Sequence, residues 1–251
     1  MNTAARRLAL ASGLFMALAG ARADEVQVAV AANFAGPMQK IAAAFEQSTG
    51  HKVLQTSGST GKFYAQIKAG APFEVLFAAD DETPGRLEAE GAGVPGSRFT
   101  YAIGTLVLWS SKPDRVDSKG EVLRKGDFTH LAIANPKLAP YGQAAIETIK
   151  ALGLTDALTP KFVVGENIAQ THQFVATGNA ELGFVALSQV QEGGRFKSGS
   201  GWIVPAGMHA PIRQDVILLS KGKGKPAAEA LMKFMKSDVA KAVITAAGYS
   251  L

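Results

Sequence analysis

The sequence has 251 residues, 47% of them hydrophobic and 19% charged, with no cysteine and a formal net charge of +5. That hydrophobic share is enough for packed cores and excludes a disordered chain; the lack of cysteine excludes a disulfide scaffold and a thiolate metal centre. Part of the positive charge lies in the first 23 residues, and no basic stripe interleaved with aromatics marks a nucleic-acid surface.

The chain opens with Arg6 and Arg7, an apolar run from Leu8 to Ala19, and then Ala21-Arg22-Ala23, with small residues at the two positions a signal peptidase reads. Residues 1–23 therefore read as a secretory signal whose apolar run is too short to span a membrane. Its removal takes three arginines and no acid, so 26 lysines and arginines become 23 against 21 acids, a mature charge of about +2. No cysteine stands at the cleavage site to carry a lipid anchor, and no later stretch reaches about 18 uninterrupted apolar residues. The expectation is an unanchored periplasmic protein.

Strand and helix alternate from there. "VQVAVAA" (26–32) reads as a buried strand, and Met38, Ile41, Ala42 and Phe45 fall at helical spacing before Gly50. "KVLQT" (52–56) is a second strand, Phe63, Tyr64 and Ile67 share a helical face that Gly70 stops, "EVLFAAD" (74–80) is a third strand, and 84–90 a short helix. This order implies a parallel sheet with ligands at the carboxyl ends of its strands. "RFTYAIGTLVLWSS" (98–111) is unusually long for one strand and leads into a polar, turn-rich stretch to Gly126. A second alternation follows, with strands at 130–135, 161–165, 182–187 and 201–205 and helices near 141–152, near 169–177 and from about 188. "RQDVILLS" (213–220) is a further strand, and two helices, 226–236 and 239–247, complete the pattern.

The expected fold class is thus α/β in two lobes, each a mainly parallel sheet flanked by helices. The strands at 98–111 and 213–220 are the natural connections. The first lobe then comprises 24–104 plus 211–251, the second 105–210, and a ligand cleft lies between them.

The stretch "QTSGSTGKFYAQIKAG" (55–70) runs a small-residue loop into a lysine and a helix. Such a loop offers free N–H groups and the positive end of a helix dipole to an anion. An ordinary N-cap, with Ser59 or Thr60 satisfying its own helix, fits the loop equally well. A P-loop is excluded, because Thr56 stands where its first glycine belongs and Phe63 where its metal-binding hydroxyl belongs. Ser59-x-x-Lys62 with "KSG" (197–199) matches two elements of penicillin-interacting serine enzymes but lacks the third. His51, His130, His172 and His209 share no metal-ligand spacing, and no Ser-His-Asp order stands out. Three more loops occupy equivalent strand-to-helix positions: "AANFAG" around Asn33, Pro140 to Gly142, and Gly165 to Gln170.

At these four loops the sequence resembles the periplasmic molybdate-binding proteins of ABC importers. The resemblance runs through "VAANF", "SGSTG", "YAQIKAGAPFEVLFAAD", "PGSRFTYAIGTLVLWS", "NPKLAPYG", "LGFVAL" and "AAGYSL", in order and over essentially the whole mature chain. It implies a two-lobed periplasmic binding protein of the second type, a monomer without enzymatic activity, cofactor or bound metal cation. It also implies a membrane permease as partner and molybdate or tungstate as ligand, held by hydroxyls, amides and backbone N–H groups. Residue by residue the site falls on Asn33 with the backbone at Ala32, on Thr60 beside Ser59, and on the backbone at Tyr141 and Ile168. Ala186 stands where some members place an anion-contacting tyrosine, so that contact is absent or replaced here, with Tyr141 as the substitute. The resemblance makes Lys62 a solvated helix residue, and Glu166 reads as a solvent-facing carboxylate near a helix start. A binder of another oxyanion such as sulfate, and a serine hydrolase using Ser59 and Lys62, are the competing expectations.

The Ala-Arg-Ala pattern predicts cleavage between Ala23 and Asp24. Intact mass of the exported protein should correspond to a chain starting at Asp24; a mass that retains Arg6 and Arg7 would refute the signal reading.

Overall fold

The structure, a computed structural model, describes residues 23–251; all of the expected signal but Ala23 lies outside the described residues. The first half contains β1 (Glu25–Ala31), α1 (Ala35–Thr49), β2 (Lys52–Gly58), α2 (Thr60–Lys68), β3 (Val75–Phe77), α3 (Glu82–Ala89), β4 (Phe99–Gly104) and β5 (Leu106–Ser110). Then come α4 (Val122–Lys125), β6 (Leu131–Ala134), α5 (Pro140–Ala151), α6 (Thr155–Leu158), β7 (Phe162–Gly165), α7 (Ile168–Ala176) and β8 (Leu182–Ala186). The rest is α8 (Leu187–Val190), the two-residue strands β9 (Gln191–Glu192) and β10 (Arg195–Phe196), β11 (Ser200–Ile203), β12 (Ile212–Leu218), α9 (Pro226–Phe234) and α10 (Asp238–Ala246).

Two five-stranded sheets organise these elements, in the orders β2-β1-β3-β12-β4 and β11-β5-β8-β6-β7. In each, four strands run one way and one runs against them: β12 is antiparallel to both β3 and β4, and β5 to both β8 and β11. Both reversed strands directly follow a crossing between sheets. The first sheet is covered on both faces, so β1 is continuously apolar from Val28 to Ala31: Val26, Val28 and Val30 pack with Phe34, Met38, Ile41 and Phe45, while Ala29 meets Phe63, Leu76 and Leu87 on the other side. Gly50 ends α1 with φ of 76°, a left-handed cap that glycine adopts without a Cβ clash.

The long apolar stretch at 98–111 is divided between the sheets, with β4 in the first, β5 in the second and Thr105 alone between them. The Thr105 carbonyl accepts the Leu187 N–H at 3.0 Å. The return passage lies just before the expected strand rather than in it: β12 pairs only with β3 and β4, and the chain crosses in 204–211, where Val204 N–H still bonds to the Leu106 carbonyl. The helix expected from about 188 is a single turn. Gly193 and Gly194, at φ of 57° and 79°, fold the chain into a β9–β10 hairpin, and two successive positive φ values are what the tightest hairpin turn demands.

Beyond β3, Asp80 accepts the Thr83 N–H at 2.8 Å and the Thr83 hydroxyl at 3.2 Å, ordering the entry to α3. Burial outweighs these bonds and pushes its carboxyl up to about 6 from an ordinary 3.8. A raised acid pKa means that the folded state holds the proton more tightly than the unfolded state. The group's contribution is therefore complete below pH 3.8 and is lost as pH rises to about 6. Asp80→Asn keeps an acceptor for Thr83 and removes the loss. Its unfolding free energy is expected to exceed that of the parent above pH 6, by about 3 kcal/mol at most, with the gap closing below pH 4. Urea titrations across that range check the sign.

Candidate functional site

Four helices begin at one point between the sheets, and each leaves a donor there that its own capping does not take. The short 3-10 helix Ala32–Phe34 after β1 has no side-chain cap at Ala31, and the first-turn N–H groups of any helix have no partner within it. In α5 the first residue is Pro140, which has no N–H, while the Gly142 and Gln143 N–H groups both bond to the Ala139 carbonyl. Only the Tyr141 N–H remains. In α7 the Asn167 side chain accepts the N–H groups of Ala169 and Gln170 at 2.9 and 3.1 Å, which leaves Ile168, at the first helical position, uncapped.

The fourth start decides between the two readings of the glycine loop. Ser59 occupies the N-cap position of α2 but its side chain caps nothing. It is only 3% exposed, and its Oγ has no hydrogen-bond partner. A buried hydroxyl without a partner costs roughly 1–3 kcal/mol, so this loop is no ordinary cap. The neighbouring Thr60 hydroxyl accepts the Ala79 N–H at 2.9 Å, which leaves its own proton to donate.

These groups surround one small cavity, about 10 Å³ in volume, of the order of a single water position. Its wall includes Ala32, Asn33, Ser59, Thr60, Tyr141 and Ile168, all six positions expected from sequence, and no charged side chain. The wall also includes Ala31, Ala79 and Ala139, which sequence reasoning missed, and Gly58, Pro140 and Asn167, which lie in the loops it named but were not assigned to the site. Proline at the first turn and asparagine at an N-cap were the available signals for two of them.

Asn33 contributes differently from a simple side-chain donor. Both N–H groups of its amide are engaged, one with Gln214 Oε1 at 2.8 Å and one with the Tyr249 hydroxyl at 3.0 Å, so its main chain is what it offers to the cavity. The Tyr141 hydroxyl accepts from Gln214 Nε2 at 3.1 Å, and burial holds its pKa well above the ordinary phenol value. Ala186 is buried outside the cavity wall, its N–H donated to Gln189, whose own amide donates to the Ile168 carbonyl. Gln189 thus supports the α7 start where a tyrosine is absent.

Several bonds join the lobes across the cavity. Gly61 N–H donates to the Leu138 carbonyl at 2.9 Å, and Ser188 Oγ donates to the Asn33 carbonyl at 2.9 Å. Lys62 and Glu166 are neither solvated alone nor aimed into the cavity: they pair with each other at 2.7 Å, 43% and 63% exposed, α2 on one side and the β7–α7 loop on the other. The two residues are 104 positions apart in the chain, so local sequence spacing does not show the pair. Among the described residues Ser59 Oγ makes no hydrogen bond to Lys62, so the contact a Ser-Lys nucleophile requires is not made.

A family model for bacterial extracellular solute-binding proteins matches residues 26–250. The chain belongs to that family. Within it the chain falls among the molybdate-binding proteins that the motifs resemble. It is 58% identical to the molybdate-binding protein ModA of Azotobacter vinelandii over 251 residues, all of both chains. It is 49% identical to ModA of Rhodobacter capsulatus, covering 99% of this chain and 96% of that one. The solved periplasmic molybdate-binding protein of A. vinelandii superposes with a TM-score of 0.87 at 45% identity, over 90% of this chain and 99% of that one. These relatives are binding proteins and not enzymes. Among the described residues of this family member no helix is long and apolar enough to cross a membrane, and no cluster of His, Asp and Glu suits a metal ion.

A buried Ser59 hydroxyl without a partner among the described residues costs stability. Ser59→Ala should raise ligand-free stability by about 1 kcal/mol, seen as a higher midpoint in thermal denaturation without ligand. A lower midpoint would show that the hydroxyl has a structural partner.

Proposed function

We propose that the mature chain is the periplasmic solute-binding component of an ABC importer, binding molybdate, and tungstate with it, between its lobes and delivering it to a membrane permease. The observation that carries this reading is the cavity itself: hydroxyls and uncapped N–H groups from four helix starts, two in each lobe, around a space with no charged side chain in its wall. Charge-assisted N–H and O–H bonds are strong where water is excluded, so a bare dianion needs no cation there. We place the lobes at 24–104 plus 211–251 and at 105–210, assign the oxyanion to Asn33, Thr60, Tyr141 and Ile168 with Ala32 and Ser59, and take the unanchored protein to act as a monomer after export.

The chemistry of the wall sets the selectivity. Molybdate carries no proton near neutral pH, so donors alone satisfy all its oxygens. Phosphate carries at least one, which needs an acceptor or leaves a polar group unpaired. Glu166, which precedes Asn167 in the α7 loop, is held by Lys62 and is absent from the wall, which supports exclusion of phosphate. Sulfate has no proton either, and its shorter bonds leave some fixed donors beyond good hydrogen-bonding distance.

Titration calorimetry of the mature protein with molybdate, tungstate, sulfate and phosphate is expected to give tight, tight, weak and negligible binding. Thr60→Ala should weaken molybdate about ten- to a hundred-and-fifty-fold, the worth of one hydrogen bond to a charged group. Lys62→Ala should change it less than about fivefold, and less still in high salt, because an exposed ion pair contributes little. Phosphate within tenfold of molybdate would sink the donor-only cavity; sulfate as the tightest ligand would make this a sulfate binder.

A further inference from the structure

We propose that Gln214 is a positioning residue that couples lobe closure to anion binding, by holding the Asn33 and Tyr141 segments in register from behind the cavity. This inference rests on the oxyanion reading above.

Gln214 is fully buried in β12, in the first lobe. A glutamine that only filled space in its own lobe would find its partners there. Gln214 reaches both lobes. Its Oε1 accepts the Asn33 amide at 2.8 Å and lies 3.1 Å from the Tyr101 hydroxyl, both in the first lobe. Its Nε2 donates to the Tyr141 hydroxyl at 3.1 Å, in the second. Asn33 and Tyr141 each supply wall to the cavity, so one amide grips a wall segment on either side.

Two features of the backbone hold the amide in place. The β12–β4 register shifts at Gln214: Gln214 faces Ala102, Asp215 faces Thr100, and Tyr101 is the extra residue between them. Such a bulge re-aims side chains, and here it brings the Tyr101 hydroxyl to Gln214 Oε1. Asp215 is engaged elsewhere, with Arg98 and Thr100. Gly104 supplies the space: a Cβ there would lie 2.2 Å from the Tyr141 hydroxyl and 2.5 Å from Gln214 Nε2. Main chain, amide and phenol therefore meet only because position 104 has no side chain.

The network continues through Tyr249, whose hydroxyl donates to the Asn33 carbonyl at 2.9 Å and lies 3.0 Å from Ser188 Oγ of the second lobe. Separation of the lobes breaks the Gln214–Tyr141 and Ser188–Asn33 bonds together, and leaves buried amide and hydroxyl groups to be rehydrated. A closed state with these bonds is also the state in which the four helix starts converge. The ligand favours that state only through its differential affinity for it, and Gln214 raises the difference by fixing where two of the starts stand.

The groups facing Gln214 are the Asn33 amide and the phenols of Tyr101 and Tyr141, with the Tyr249 phenol beyond Asn33 and the carboxylates of Asp215 and Asp80 beyond Tyr101. Burial holds all three phenols protonated through the neutral range. Gln214→Glu introduces a group that is isosteric with glutamine when protonated and repels a dianion when charged.

Molybdate calorimetry and stopped-flow release are compared for the parent, Gln214→Met and Gln214→Glu, with ligand-free melting measured alongside. Gln214→Met, similar in shape but without donor or acceptor, is expected to weaken molybdate about tenfold or more, mostly through faster release, and to lower ligand-free melting as well, because the buried Asn33 amide loses its acceptor. Gln214→Glu should bind weakly at pH 8 and recover toward the parent at pH 5.5, against a flat parent profile. Should Gln214→Met not fold, the Gln214→Glu profile decides alone. Parent-like affinity and release in Gln214→Met, or a Gln214→Glu profile parallel to the parent, would overturn the inference while the parent still binds. A parent that binds no molybdate overturns the oxyanion reading, and the inference with it.

Discussion

An anion taken out of water must be met by donors on every side, and a cavity without a cation has to draw them from the backbone. That constraint shapes the whole molecule. Backbone N–H groups are free of their own secondary structure only at helix starts, and one helix start points from one direction. Surrounding a small sphere requires several starts, and opposing them requires two sheets. The two-sheet arrangement, with crossovers that deliver strand ends to a common cleft, is the means by which four starts face one another.

The reversed strands fit the same logic. β5 and β12 each follow a passage between sheets and run against their neighbours. A chain entering a sheet from the cleft side must run away from the cleft, whereas the strands that carry binding loops run toward it. The two short passages therefore leave the loop-bearing strands in the parallel order that puts their carboxyl ends together. The Thr105 carbonyl on one passage also accepts the Leu187 N–H, so that connection is tied to the second sheet where it enters it.

Much of this was legible in the sequence because it is local. Alternating apolar runs announce strands, glycines at 50 and 70 announce helix ends, and the small-residue loop at 56–61 announces a helix start. What was not legible depends on residues far apart in the chain. Asn33 reads as a donor to the ligand, yet its amide is engaged by Gln214 and Tyr249, 181 and 216 positions away. Lys62 and Glu166 read as separate solvated charges and form a pair across the cleft. The return crossing was placed in an apolar strand because apolarity is visible, whereas the passage itself, at 204–211, has no periodicity to read. The β9–β10 hairpin, for which the Gly193-Gly194 pair was the signal, was overlooked, as were the single turns α4 and α6.

The bond from Gly61 N–H to the Leu138 carbonyl links the lobes through main chain alone. A contact of this kind is indifferent to the identity of the side chains around it, so the facing surfaces of the lobes are free to drift in composition as long as the two backbones still meet. What it does require is an absence. A Cβ on Gly61 would stand 3.0 Å from the Leu138 Cα and 3.2 Å from its carbonyl oxygen. The burden of inheritance at this point in the fold thus falls on a missing atom: any heritable change that adds one carbon at position 61 acts as a spacer between the lobes, whatever else the substituted residue brings.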